Sequence, residues 1–228
     1  MKLILLSYTW DKHHQVISCQ FIDVFMSTLD LSKEFKGIYK ARITPELIEV
    51  PEGNFLMIDG KGSPDSIEYS EAMQALYGVA YTLKFHYKSL FMDFKVMALE
   101  GLWWVNDGVF DMTNPAPREK WMWTSMIRVP DYVDESTLGE LMPQLIEKRG
   151  EKVKEVKLGK FNEGISAQIM HIGPYSEEAP TIIRLHRWVE ENGFKLRGDH
   201  HEIYMSDPRR TRPEKLKTII RHPVEKNS

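Results

Sequence analysis

The sequence predicts an α+β fold made of two copies of a strand-helix-strand-strand unit, with a ligand cleft between the copies. The prediction depends on four pairs of similar segments that follow one another in the same order in both halves of the chain. The pairs are NFLMIDG and AQIMHIG, YSEAMQALYGVAYTL and YSEEAPTIIRLHRWV, LEGLWW and HEIYMS, and SMIRVP and TIIRHP. One such match is expected by chance, whereas four in the same order indicate a duplication.

Length and composition are those of a globular protein, with room for one large domain or two small ones. The chain has 228 residues, 42% of them hydrophobic and 28% charged, and its net charge of −3 argues against electrostatic binding to nucleic acid. The single cysteine, Cys19, cannot form an internal disulfide, which favours the reducing cytoplasm. The apolar run in MKLILLSYTW is too short to span a bilayer, and no cleavage site follows it, so we expect no export signal and no membrane partner.

We divide the chain into an N-terminal extension, residues 1–30, and a single domain, residues 31–225. The two repeats occupy about 45–131 and 160–224. The pattern of a folded domain becomes clear only around Met26. The extension is therefore either disordered or the product of a start codon assigned too far upstream.

The first repeat begins with two strands in ELIEVPEGNFLMIDGKG, which break at Pro51 and close on a Gly-rich turn. The next segment has apolar residues at alternating gaps of four and three, which predicts a helix that begins near Asp65. Its predicted buried face consists of Tyr69, Met73, Leu76, Ala80 and Leu83. Two strands, VMALEGLWWV and WMWTSMIRVP, follow and are joined by the loop NDGVFDMTNPAPREK.

The second repeat has the same order of elements. GISAQIMHIG predicts a strand, and Pro180 after the acidic Glu177 and Glu178 marks the start of a helix that stops at Gly193. KLRGDHHEIYMS and LKTIIRHPV predict the last two strands. Between the repeats, DESTLGELMPQLIEKRG predicts a bridging helix that starts at Ser or Thr and ends at Gly150.

Several of these segments resemble a known family. NFLMIDGKGSPD, the paired YSE helix starts and HHEIYMSDPRRTRPEKLKTIIRHPV are similar to the GyrI-like small-molecule-binding family, from about Leu31 to Val224. The resemblance implies a duplicated fold with a ligand cleft at the pseudo-dyad. Relatives of this architecture include effector-binding domains of multidrug-responsive regulators and a gyrase-inhibitory protein. About 40 residues precede the first strand, too few for the DNA-binding module of such regulators.

Glu202 and Tyr204 are the candidate catalytic residues. In a strand they share one face with His200, while His201, Ile203 and Met205 form an apolar face that we expect to meet the helices. The carboxylate of Glu202 then faces either solvent or the cleft. The general rule that a lone glutamate is exposed favours solvent. The neighbouring tyrosine and the family resemblance favour the cleft about equally strongly.

Glu100 occupies the matching place in the first repeat. A pseudo-twofold axis could bring its carboxylate close to that of Glu202 in one pocket, where the like charges would raise one of the two pKa values. The alternative is a salt bridge at the end of the strand, for example with Arg128.

The ligand-binding candidates are mostly aromatic. We expect about half of the four clustered tryptophans to face one way, with Trp103 and Trp123 lining the cleft and the other pair in the core. Tyr69 and Tyr175 open the two helices, where each either packs the helix start or lines the cleft. His171 completes the set.

Neither a metal nor another cofactor is expected. No metal-ligand spacing such as His-Glu-x-x-His occurs, and His200 and His201 alternate in direction along a strand. The basic run from Arg209 to Arg221 lacks the interleaved aromatic residues of a nucleic-acid site, which leaves a solvated turn as the interpretation.

Three functions compete at this point. Stand-alone members of the family resemble hydrolases that open the cyclopropane ring of DNA-alkylating cyclopropanoid compounds, which implies a detoxifying enzyme in which Glu202 orients or deprotonates water and Tyr204 positions it or stabilises the phenolate. The alternatives are a non-catalytic module that binds lipophilic cationic drugs and a gyrase-inhibitor-like interaction protein. The first two predict a hydrophobic aromatic or cationic small molecule as the partner.

Overall fold

A computed structural model describes residues 27–106 and 115–227, together with the backbone of two strands in the first 26 residues. These two strands, β1 (Leu3–Asp11) and β2 (Val16–Val24), pair with each other in antiparallel fashion. The side chains of the predicted extension before residue 27 and the middle of the loop predicted after Val105 lie outside the described residues.

Four α-helices and nine further strands, joined by loops and short 3-10 helices, form the rest of the described chain. The helices are α1 (Leu31–Glu34), α2 (Ile67–Ser89), α3 (Glu135–Arg149) and α4 (Ala179–Glu191). The strands are β3 (Glu46–Val50), β4 (Gly53–Lys61), β5 (Leu99–Val105), β6 (Trp121–Val129), β7 (Lys157–Phe161), β8 (Gly164–Ile172), β9 (Phe194–Leu196), β10 (His200–Tyr204) and β11 (Lys217–Lys226). None of the helices in this part of the chain has both the length and the apolar character that crossing a bilayer requires.

The strand order shows the duplication directly. The main sheet runs β3-β8-β11-β10-β5-β6-β4-β7, and β9 pairs with β11. Reading outward from the centre, β10-β11-β8 of the second repeat mirrors β5-β6-β4 of the first. The outermost strands are exchanged: β3, at the start of the first repeat, pairs with β8 of the second, and β7, which leads into the second repeat, pairs with β4 of the first. The predicted α+β fold of two strand-helix-strand-strand units is confirmed.

Helices α2 and α4 both pack on one face of the sheet, α2 over β4 and β6 and α4 over β8 and β11. That face contains Glu202, since its direct partner on β11, Ile220, packs against Ile182 and Leu185 of α4. The expectation that the helices meet the face of Ile203 is therefore wrong. The central strands β5 and β10 lie between the two helices on this face.

Local sequence explains where the helices begin and end, with two corrections. The side chain of Ser66, rather than Asp65, caps α2 by accepting a hydrogen bond from the backbone N–H of Tyr69. Asp134 caps α3 in the same way, two positions before Ser136, the first residue of the predicted Ser or Thr start. Gly193 follows the end of α4 with φ of 78°, as expected for a glycine that stops a helix.

The opposite face of the sheet is crossed by the segment between α1 and β3 and contains a buried ion network. His201 on β10 lies with Nδ1 at 3.1 Å from Glu163 and with Nε2 at 3.1 Å from Glu100, although the second contact lacks the angle of a hydrogen bond. Arg221 lies 3.2 Å from Glu163 and also donates to the backbone carbonyl of Ile38. The network thus ties the covering segment to the strand that bears Glu202.

Charge pairing sets the protonation states of this network. Burial alone would raise the pKa of Glu163, but the charges of His201 and Arg221 outweigh it and lower the pKa to about 2. Burial would lower the pKa of His201, but the charge of Glu163 and contacts with Glu100 raise it to about 9. At neutral pH both groups are therefore charged.

Replacing Glu163 with Gln should destabilise the protein by about 3 kcal/mol at pH 7, because it leaves Arg221 and His201 buried without their shared counter-charge. The pKa of Glu163 is lower in the folded chain than its ordinary value of 4.5, so its stabilising contribution is present above pH 4.5 and is lost as the pH falls toward 2. Denaturant unfolding of both proteins between pH 7 and 3 measures the difference, which should shrink in acid.

The exposed Glu214, replaced by Gln, is the matched control and should have no such effect. A difference between wild type and Glu163→Gln that stays constant over the whole pH range would contradict the assignment.

Candidate functional site

Glu202 lies at the centre of the helix-covered face and is held by its neighbours on the same strand. Its Oε1 atom lies 3.0 Å from Nε2 of His200, and its Oε2 atom accepts a hydrogen bond of 2.8 Å from the hydroxyl of Tyr204. Nε1 of Trp103 donates to that hydroxyl at 3.1 Å. Only 11% of the Glu202 side chain is exposed, so the interpretation as a solvated edge carboxylate is wrong.

The register of the central strands makes this arrangement possible. Glu202 pairs directly with Gly101 across β5 and β10. A Cβ atom at Gly101 would lie 2.9 Å from Nε1 of Trp103 and 3.1 Å from the hydroxyl of Tyr204. The glycine therefore leaves the space in which the indole N–H reaches the tyrosine, and the tyrosine reaches the carboxylate.

A second carboxyl group, that of Glu178, lies next to Glu202. Glu178 precedes α4 and is 2% exposed, and its Oε1 atom has no hydrogen-bond partner among the described residues. Burial, followed by the charge of Glu202, raises the pKa of Glu178 to about 10. Sequence reasoning missed this role, because an acid before a helix is usually an exposed residue that favours the helix N-terminus.

The two carboxyl groups therefore differ in protonation at neutral pH. Burial would raise the pKa of Glu202, but the hydrogen bond and charge of His200 and the hydrogen bonds of Tyr204 and Glu178 outweigh it and lower that pKa. Protonated Glu178 donates to ionised Glu202, since each carboxyl takes part in a hydrogen bond with the other. A pair of this kind can give and accept a proton within one site.

Aromatic rings lie beside the carboxyl pair. Trp103 and Trp123 face each other across β5 and β6, on the face that bears Glu202. The ring of Tyr69 from α2 stacks on Trp103 with a centroid distance of 5.9 Å and meets Trp123 edge-on at 5.0 Å. Trp121 shares this face because it lies two residues from Trp123, so three of the four tryptophans face the same way rather than half of them.

Tyr175 and His171 occupy different parts of the site. Tyr175 is 38% exposed and meets the ring of Tyr204 edge-on at 5.6 Å, which places it at the solvent rim. His171 is buried, with Nδ1 at 3.0 Å from the hydroxyl of Thr181 and Nε2 at 3.3 Å from the carbonyl of Pro174. These contacts hold the turn that precedes α4, which positions Tyr175 and Glu178.

Glu100 does not join the carboxyl pair. It pairs directly with Ile203 and accepts a hydrogen bond of 2.7 Å from the hydroxyl of Tyr39 on the opposite face of the sheet. The expectation that Glu100 approaches Glu202 is therefore wrong, and so is the alternative of a salt bridge to Arg128, since its ionic partner is His201. A twofold axis perpendicular to the sheet places equivalent residues of the two repeats on the same face. Glu100 and Glu202 lie on opposite faces, so they are not equivalent positions.

A surface groove of about 590 Å³ lies elsewhere, between α2 and the end of α3, and does not include Glu202. It is lined by residues of α2 such as Glu71, Tyr77 and Tyr81 and by the segment from Arg149 to Lys152. Because this groove is broad and open and lacks a buried titratable group, the carboxyl pair is the stronger candidate for the functional site.

The sequence and fold are similar to those of known proteins. The model of the GyrI-like small molecule binding domain matches residues 43–225. A conserved protein from Listeria innocua is 44% identical with a TM-score of 0.80, and a hydrolase from Listeria innocua is 41% identical with a TM-score of 0.76. Both matches cover 87% of this chain and 100% of the other.

A more distant similarity concerns the fold alone. The C-terminal domain of EcmrR is 16% identical with a TM-score of 0.53, over 80% of this chain and 98% of that chain. No match was found among curated proteins.

The raised pKa of Glu178 has a direct spectroscopic consequence. Since this carboxyl is protonated at pH 7, infrared spectra should contain a band from a buried carboxylic acid that disappears in Glu178→Gln. The substitution preserves shape and removes no charge, so the fold should be retained. The exposed neighbour Glu177, replaced by Gln, should keep the band. A band that survives in Glu178→Gln would show that it comes from another carboxyl group and would contradict the assignment.

Proposed function

Because the chain belongs to the GyrI-like small-molecule-binding family, we propose that it is a hydrolase that opens the cyclopropane ring of genotoxic cyclopropanoid-type aromatic compounds. A reaction, rather than binding alone, is supported by two adjacent buried carboxyl groups, Glu178 and Glu202, whose surroundings raise the pKa of the first and lower the pKa of the second. Two structures from Listeria innocua that are 41% and 42% identical are described as hydrolases, which is in keeping with this proposal.

The proposed reaction uses the carboxyl pair as a proton relay. A water molecule bound at the unpartnered Oε1 atom of Glu178 attacks the methylene carbon of the cyclopropane. Its oxygen forms the new C–O bond, the strained C–C bond breaks, and the electron pair enters the conjugated ketone, which becomes a phenolate. The water proton passes to Oε1 of Glu178 while Glu178 gives its own proton to Glu202. Solvent then protonates the phenolate and restores the pair.

The remaining groups orient the reactants. His200 and Tyr204 fix both oxygens of Glu202, so the carboxylate does not rotate as it accepts the proton. The exposed ring of Tyr175 at the rim provides a flat apolar surface for an aromatic ligand, and the buried Trp103, which stacks on Tyr69, fixes the hydroxyl of Tyr204 behind it. Holding water and carbon in line lowers the entropic part of the barrier, and ring strain supplies the driving force.

A second function is favoured by one feature of the same site. A buried anion surrounded by tyrosine and tryptophan rings is also suited to a lipophilic cation, since the ring faces attract positive charge and Glu202 supplies the counter-charge. In that case the protein would sequester cationic drugs without changing them. The two functions differ in whether the mass of the ligand changes.

Glu202→Gln should slow ring opening by about 100-fold or more, because the neutral amide cannot accept the relayed proton. Glu178→Gln should slow it as well, since an amide cannot pass the proton on. The measurement is single-turnover incubation with a duocarmycin-type cyclopropane, followed by mass spectrometry for the addition of one water molecule.

The control is Glu177→Gln, which changes an exposed acid next to the pair and should turn over at the wild-type rate. Wild-type protein that binds the compound without adding water would contradict the hydrolase proposal. If it also bound a lipophilic quaternary ammonium cation that Glu202→Gln binds more weakly, the sequestering function would take its place.

A further inference from the structure

Three histidines from three separate elements meet behind the carboxyl pair. His186 comes from α4, His200 from the start of β10 and His222 from β11. One nitrogen from each ring lies within 4.8 Å of the other two. The ring centroids of His186 and His222 are 5.4 Å apart, and those of His200 and His222 are 6.2 Å apart.

We propose that His186, His200 and His222 form a binding site for a divalent transition metal ion, for which Zn²⁺ is the best match. Three imidazoles around one position, with a fourth position open, are a ligand set that zinc commonly uses, and imidazole also suits copper and nickel. The sequence analysis predicted no metal site, so this proposal differs from that prediction. It does not depend on the proposed hydrolase activity.

The distances require only a small adjustment of the rings. Two nitrogens bound to a tetrahedral Zn²⁺ at about 2.1 Å lie about 3.4 Å apart. The present separations of up to 4.8 Å close to that value if the imidazoles rotate toward a common centre. His186 is only half-buried, whereas His200 and His222 are almost fully buried, so the helix residue has room to move and its side provides the entry path.

The surroundings contain the support that a metal-binding histidine needs. Glu202 holds Nε2 of His200 at 3.0 Å, so a metal would be bound through Nδ1 of that ring. A carboxylate in this position fixes the orientation of the imidazole and makes it a stronger ligand. The buried Nδ1 atom of His222 has no hydrogen-bond partner among the described residues, which is the state expected of a nitrogen that awaits a ligand.

Charge also favours an ion at this place. A divalent cation among three neutral rings would bring two positive charges next to the buried carboxylate of Glu202, which the described structure otherwise balances only through hydrogen-bond donors and His200. The proposed metal site and the carboxyl pair are linked by the contact between His200 and Glu202, so a bound metal ion should alter the environment of the carboxyl pair.

The test is isothermal titration of tag-free protein, treated with a chelator and then dialysed, with Zn²⁺ alone. His13 and His14 in the N-terminal segment could bind zinc adventitiously, so all proteins also carry His13→Ala and His14→Ala. We expect this parent protein, with His13→Ala and His14→Ala, to bind one equivalent of Zn²⁺, and we expect the further substitution His186→Ala to abolish that binding. His86→Ala, on α2 and away from the cluster, should bind as the parent does.

Substitution with Co²⁺ provides an independent readout. A tetrahedral Co²⁺ site with histidine ligands should give visible absorption bands that are present in the parent and absent in His186→Ala and His222→Gln. Glu202→Gln should retain the site but weaken Zn²⁺ binding by about 10- to 100-fold, because the carboxylate supports one ligand rather than binding the metal.

Two results would overturn the proposal. One is the absence of stoichiometric Zn²⁺ binding by the parent, and the other is binding that His186→Ala leaves unchanged. Thermal unfolding of each variant without metal checks that a loss of binding does not reflect a loss of fold. None of these readouts involves the cyclopropane substrate, so failure of the metal site and failure of the hydrolase proposal are distinguishable.

Discussion

The antiparallel pairing of β5 with β10 is the constraint on which the site depends. Directly paired residues point to the same face of a sheet, so the register that sets Glu202 opposite Gly101 puts Glu202, Tyr204 and Trp103 on the helix-covered face. A shift of one residue would move every one of these side chains to the other face. Contacts on both faces of the sheet stabilise this register, since the same strand also places His201 in the ion network on the opposite face.

Burying two carboxyl groups costs free energy, and this cost explains how the site is arranged. Two buried carboxyl groups in contact cannot both be ionised without a large penalty, so one keeps its proton and the other is stabilised by donors. The structure achieves this at Glu178 and Glu202, yet leaves Oε1 of Glu178 without a partner among the described residues. Stable folds normally give a buried polar atom a hydrogen-bond partner. An unpartnered atom beside two interacting carboxyl groups is typical of a ligand-binding site.

The sequence predicted the fold and part of the site, and the misses have physical reasons. The internal repeat was enough for the order of elements, and strand alternation correctly grouped Glu202 with Tyr204. It could not reveal which face the helices cover, because that depends on packing between distant segments, here Ile220 with α4. Nor could it find Glu178, whose position before a helix suits an ordinary exposed acid, or the meeting of three histidines from separate elements.

Strand β10 shows how one short segment serves both the fold and the chemistry. The adjacent His200 and His201 are the same residue type, yet alternation sends the first toward Glu202 and the second between Glu163 and Glu100. The pKa of His201 is raised to about 9 by Glu163 and Glu100 against the effect of burial, so this ring is a permanent cation that holds the covering segment in place. His200 instead contacts the carboxylate of Glu202. A substitution at the second histidine therefore acts on the fold first, whereas one at the first acts on the site.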